Sequence, residues 1–122
     1  MQKILVIDDD PVVRHTVTRI LQKNGYEVRL AEDGIEGLRA FRNQRPDLVI
    51  TDIIMPVKEG LDTIRLLLTW CPDAKIIAIS GGSRVGNVDF LKKAAELGAS
   101  AIIAKPFEPS ELLNAVSRCL AS

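Results

Sequence analysis

Histidine occurs once in this chain of 122 residues, cysteine twice, and the aromatics amount to one Trp, one Tyr and three Phe. Each scarcity excludes something. The lone His15 lies four residues after Pro11 with no nucleophile paired to it, so it is expected at the surface. Cys71 and Cys119 are far apart and lack metal-ligand spacing, which speaks against a zinc site or a disulfide framework. Two reduced thiols in a cytoplasmic protein are expected instead. With so few rings, a core must be built from Ile, Leu, Val and Ala. Net charge is also missing: 16 basic residues balance 16 acidic ones. A neutral chain has no global field to draw it to nucleic acid or an anionic membrane, so neither is expected as a partner. No apolar run approaches the roughly 20 residues that cross a bilayer. The N-terminus passes from Lys3 through Ile4-Leu5-Val6-Ile7 straight into acid, unlike a signal peptide. No repeat or linker breaks the chain, and it stops soon after its last helix. One domain over 1–122 without an output module is therefore expected.

What is present is an alternation of short apolar runs and longer amphipathic stretches. Ile4–Ile7 reads as a strand stopped by Asp8-Asp9-Asp10. Asp10 is placed to cap a helix that opens on Pro11 and carries Val13, Val17, Ile20 and Leu21 at helical spacing. Asn24-Gly25 ends it. Tyr26 to Ala31 reads as a second strand, and Asp33 with Glu36 as the capping box of a second helix that Pro46 breaks. Leu48–Thr51 is a third strand ending at Asp52, followed by a loop and a helix from about Leu61 to Trp70. Ile76–Ile79 is a fourth strand ending at Ser80. Three glycines between 81 and 87 predict a loop, and Val88 to Leu97 a fourth helix ended by Gly98. Ala101–Ala104 is a fifth strand ending at Lys105, and a fifth helix starts near Pro109 with Leu112, Leu113, Val116 and Leu120 inward. Near-continuous apolar strands are buried on both faces, which predicts a parallel sheet between helical layers.

Four of those five strands end in a polar or charged residue: Asp8-Asp9, Asp52, Ser80 and Lys105. In an open parallel sheet all carboxyl ends share one edge, where ligands bind. Residues from position 8 to 105 can therefore meet in one pocket. Three carboxylates held together repel, and one lysine does not neutralise them. A hard divalent cation does, and a few carboxylates with a carbonyl and waters suit magnesium.

The segments Ile4–Pro11, Leu48–Pro56, Ile79-Ser80-Gly81 and Ala104-Lys105-Pro106-Phe107 together resemble the receiver domain of two-component response regulators over essentially the whole chain. The resemblance implies an α/β, flavodoxin-like (βα)5 three-layer sandwich whose five-stranded parallel sheet runs in order 2-1-3-4-5. It implies that Asp52 accepts a phosphoryl group from a phosphohistidine on a sensor histidine kinase or phosphotransfer protein. Asp9 and Asp52 then resemble direct ligands of Mg2+, with the backbone carbonyl of Ile54 as a third and Asp8 acting through water. Ser80 resembles the switch hydroxyl and Lys105 the ammonium that pairs with the phosphoryl group. A loop after Ser80 would move, changing the surface of the fourth helix, fifth strand and fifth helix that a downstream target reads. The protein would be a signalling switch, not an enzyme, though it assists its own phosphorylation and dephosphorylation.

The chain departs from the family pattern at several positions. Ile102 stands where many receivers carry an aromatic switch residue. Ser80 lacks the methyl that restricts χ1 in Thr. Ile54 and Gly82 offer no polar group to hold an attacking water. Trp70 and Cys71 are expected to pack, Lys92-Lys93 to be solvated, and Phe90 to be either core or partner contact. Three other readings compete. A phosphatase with a strand-end Asp nucleophile wants a second acid where Ile54 stands. A flavin-binding module wants a Ser/Thr/Gly-rich loop where three aspartates stand. A phosphorylation-independent adaptor has no need of Asp8, Asp9, Asp52 and Lys105.

Overall fold

The computed structural model describes residues 1–53, 60–80 and 87–122, and of residues 87–91 only the backbone. Among these, strands β1 (Lys3–Ile7), β2 (Glu27–Ala31), β3 (Leu48–Asp52), β4 (Ile76–Ser80) and β5 (Ala101–Ala104) alternate with helices. The helices are α1 (Pro11–Lys23), α2 (Gly34–Asn43), α3 (Gly60–Trp70), α4 (Asn87–Leu97) and α5 (Pro109–Ala121). Every boundary lies within a residue or two of the sequence expectation. The strands form one parallel sheet in the order β2-β1-β3-β4-β5.

Local signals account for the helix ends. The Asp10 carboxylate accepts the Val12 N–H at 2.9 Å ahead of Pro11. Asp33 accepts the Glu36 N–H at 2.8 Å. At α5 the Glu111 side chain accepts the Glu108 N–H at 3.1 Å, a cap the sequence reading did not assign. Gly25 and Gly98 follow α1 and α4 with φ of +86° and +114°, a left-handed conformation that glycine adopts without a Cβ penalty.

β3 and β4 are buried at every position, and β1 at all but Lys3. Alternation along these strands divides the interior into two layers. Leu5, Ile7, Val49, Ile76 and Ala78 pack with residues of α2, α3 and α4, among them Phe41, Ile64, Leu67 and Ala94. Ile4, Val6, Ile50, Ile77 and Ile79 pack with α1 and α5 through Val17, Leu21, Leu112 and Val116. By the same alternation Asp52, paired with Ile79, belongs to the α1/α5 face. Ser80, two residues beyond Ala78, belongs to the α3/α4 face.

One expectation about packing is corrected. Trp70 is 43% exposed and does not enter the core. Ile64 and Leu67 occupy the inner side of α3, and Trp70 sits on its flank toward α2, where the Arg42 guanidinium lies 5.0 Å from the ring centroid. His15, Lys92 and Lys93 are exposed as expected. Cys71 and Cys119 are free thiols, the first half-buried and the second buried. The side chain of Phe90 lies outside the described residues.

Gly60 opens α3 against the end of β3, and its N–H donates to the Ile53 carbonyl at 3.2 Å. A Cβ here would collide with the Asp52 carbonyl oxygen and with Ile53 Cα, both of them backbone. At Gly37 the nearest atoms belong to the buried Ile7 side chain, which would have to shift but is not backbone. Gly60→Ala is therefore expected to destabilise the fold by about 2 kcal/mol through overpacking, and more than Gly37→Ala does. Urea denaturation of the two variants measures the difference, and equal midpoints would refute the close approach.

Candidate functional site

The carboxyl ends of β1, β3, β4 and β5 bring Asp8, Asp9, Asp52, Ser80 and Lys105 to one edge of the sheet. Oxygens of Asp8, Asp9 and Asp52 all lie within 4.8 Å of one another. Asp8 and Asp52 are buried, whereas Asp9 is exposed. The Lys105 ammonium spans the two buried acids, 3.2 Å from Asp8 Oδ2 and 3.1 Å from Asp52 Oδ2. Its backbone N–H donates to the Ser80 carbonyl at 2.8 Å, which ties the ends of β4 and β5 together. The Lys105–Pro106 peptide bond is cis.

Asp8 is held from several sides. Its N–H donates to the Ala31 carbonyl at 3.1 Å, and its Oδ1 accepts the Asp10 N–H at 2.9 Å. Arg14 donates from Nη1 to the Asp8 carbonyl at 2.7 Å and lies 3.9 Å from Glu32. Arg14 was not singled out in the sequence. One signal was available: Arg14 is one turn beyond the Asp10 cap, so its side chain returns toward the loop it follows. Gly60 was missed for a different reason, since close approach between backbones leaves no periodic trace.

Burial is the largest influence on Asp8 and pushes its carboxyl above the usual carboxylate range. Asp52 pushes the same way, while the Asp10 N–H and Lys105 pull against it. Burial would lower the Lys105 ammonium, but Asp52 and Asp8 together outweigh it and hold the group above the ordinary lysine value. Ser80 is fully buried, and its hydroxyl oxygen has no hydrogen-bond partner among the described residues. Ile54 and Gly82, with the rest of 54–59 and 81–86, lie outside the described residues.

The donor set fits a hard cation: three carboxylates supply several oxygens in a small volume, with the Lys105 ammonium in contact with two of them. Residues 4–117 match the family model of the response regulator receiver domain. The chain belongs to that family. It is 38% identical over 121 residues to "Protein CcdB" of Bacillus subtilis, covering 98% of both chains. It is 39% identical to the response regulator MprA of a Mycobacterium strain, covering 91% of this chain and 47% of that protein. A receiver domain from Clostridium thermocellum superposes with a TM-score of 0.92 at 32% identity, covering 99% of this chain and 95% of that one. The receiver domain of NtrX from Brucella abortus superposes at 0.91 with 32% identity and 98% coverage of both. The flavodoxin-like order expected from the resemblance is thus observed in the chain itself and shared with solved receiver domains. This is a receiver domain of the response regulators of two-component systems. None of its described helices is long and apolar enough to cross a membrane.

The raised Asp8 carboxyl gives a pH signature. A carboxyl held above its unfolded value of 3.8 favours the folded state while protonated. That contribution is complete below the unfolded value and is lost as pH rises through the folded one. At neutral pH without metal, ionised Asp8 is thus a net cost. Asp8→Asn in EDTA is expected to raise the melting temperature by a few degrees at pH 7, with the gain vanishing in acid below the ordinary carboxylate range. Thermal scans across pH measure it, and an equal gain at every pH would argue for a cause other than charge.

Proposed function

We propose that Asp52 is the phosphoacceptor of this receiver, with Mg2+ held by Asp9 and Asp52 and by Asp8 through water. The observation that carries the reading is the contact of Lys105 with Asp52 and Asp8 beside the exposed Asp9. Bound there, the metal supplies positive charge to the equatorial phosphoryl oxygens. The chain's own groups do the rest. A carboxylate is ionised at neutral pH and needs no base to attack phosphorus. The Asp52 oxygen forms the new O–P bond while the N–P bond of the donor phosphohistidine breaks, and its electron pair leaves with the imidazole. Lys105 offsets the charge that the acyl phosphate brings. The Ser80 hydroxyl, without a hydrogen-bond partner among the described residues, then has an acceptor in a phosphoryl oxygen, but its strand position faces α3 and α4. It must turn toward the pocket, and that turn is the proposed switch.

The phosphodonor must dock beside the acids. An apolar groove of about 450 Å³ lies there, formed by α1 residues Val12, Val13 and Ile20 with Pro106 and Phe107, and bordered by Lys105. Val12 is 70% exposed on its rim. This suits a helix of the histidine kinase or phosphotransfer protein that carries the phosphohistidine. We place the protein in the cytoplasm with residues 1–122 acting as one receiver domain. It is a signalling switch that assists its own phosphorylation and dephosphorylation, with output passed to a protein target through α4, β5 and α5.

Two measurements test the reading. Beryllofluoride with Mg2+ is expected to bind tightly to the parent and at least about a hundredfold more weakly to Asp52→Asn, the order expected when a charge-assisted ligand is removed. Equal binding would refute the acceptor assignment. Separately, Val12→Asp is expected to slow phosphotransfer from the kinase about tenfold while leaving phosphorylation by acetyl phosphate unchanged. If both donors slow equally, the groove is not a docking site.

A further inference from the structure

Two of the exposed large hydrophobic side chains, Ile35 at 49% and Trp70 at 43%, open on one groove between α2 and α3. The groove encloses about 610 Å³ and shares no lining residue with the acidic pocket or with the groove on α1. Its walls are helical stripes. Ile35, Leu38, Arg39 and Arg42 stand at i, i+3, i+4 and i+7 on α2, and Leu66 and Trp70 at i and i+4 on α3. Exposed Ile35 and Trp70 set among Arg39, Arg42 and Asn43 give a mixed apolar and cationic surface at helical spacing, of the kind that receives an amphipathic helix.

Both charged residues lining it are arginines, and no carboxylate lines it among the described residues. The nearby Asp62 is paired with Arg65 at 3.2 Å. Arg42 lies over the Trp70 ring, which restrains both side chains before anything binds. Such restraint lowers the ordering cost of association, and Trp and Arg are the residues that dominate interface energies. A second copy of this chain is a poor occupant. A two-fold contact through this face would set Arg39 and Arg42 against their own equivalents. From Ile35 to Arg42 the stripe runs about 10 Å, roughly two turns of a partner helix.

We propose that this groove docks an acidic amphipathic helix of a partner protein. The apolar residues of that helix seat between Ile35 and Trp70, and its carboxylates meet Arg39 and Arg42. Because the groove lies apart from Asp52, docking is expected in both phosphorylation states.

The probe is a phage-displayed library of random helical peptides, selected on the parent protein and counter-selected on Trp70→Ala. Enriched peptides are expected to carry Asp or Glu beside apolar residues spaced i, i+3 or i+4, and i+7. Their titration should shift the fluorescence of Trp70, the only tryptophan in the chain. Affinity should fall about tenfold or more in Arg39→Glu/Arg42→Glu and weaken as salt rises. Circular dichroism checks both variants, and the charge-reversal pair carries the test if Trp70→Ala misfolds. No enrichment, enrichment without acidic bias, or equal binding to the charge-reversed protein overturns the proposal. So does a concentration-dependent dimer in sedimentation that the charge reversal abolishes, which would make a second copy the occupant.

Discussion

Carboxylates from two strands face each other in the interior edge of the sheet, and they repel. For the buried pair Asp8 and Asp52, with oxygens inside 4.8 Å, the repulsion is roughly 3–4 kcal/mol at an effective dielectric near 20. A domain is stable by only about 5–15 kcal/mol in total. Much of the local structure counters that repulsion. Lys105 touches both acids, and Asp8 is further held by the Asp10 N–H and by Ala31, with Arg14 on its carbonyl. Among the described residues one ammonium touches this cluster of three carboxylates once Asp9 is included. Such a cluster of acids gains from added positive charge, which an entering cation would bring.

That arrangement is stable because the frame beneath it is rigid. The interior strands are packed on both faces, so their ends cannot shift independently. Gly60 lets α3 begin against the Asp52 backbone, closer than any side chain would permit. The Asp52 carboxylate is thus positioned by its strand and by the helix that follows it. The buried Ser80 hydroxyl is the loose element. A buried hydroxyl with no partner, as that of Ser80 is among the described residues, costs about 1–3 kcal/mol, and in the proposed mechanism a phosphoryl oxygen returns that energy. The return is comparable to the coupling free energies that shift two-state elements.

Much of this was legible in the sequence because it is local. Apolar runs stopped by Asp, Ser or Lys mark the strand ends, and Asp10-Pro11 and Asn24-Gly25 mark the ends of α1. The order of the strands was not local, and it came only with the family resemblance. Trp70 shows the limit of periodicity. Spacing says that a residue lies near an apolar stripe, but not whether the neighbouring helix covers it, and α2 leaves its flank open. Gly60 acts through the close approach of its backbone to Asp52 and Ile53, which leaves no spacing signal, whereas the one available for Arg14 was its place one turn beyond the Asp10 cap.

The substitution of Ile102 for an aromatic switch residue changes how a signal can leave the site, and the sheet register shows in which way. Ile102 pairs with Ala78, and Ser80 with Ala104. Ile103 belongs to the α5 layer, so Ile102 points to the opposite face, the face of Ala78 and Ser80. It is 43% exposed there. The Ser80 hydroxyl, the proposed switch, and Ile102 thus share one face on adjacent strands. What differs is the reach of the side chain. A β-branched residue is stiff at χ1 and has no ring to swing between buried and exposed positions. In the proposed mechanism Ile102 is therefore a fixed apolar neighbour on the face of Ser80, not a ring that swings with it.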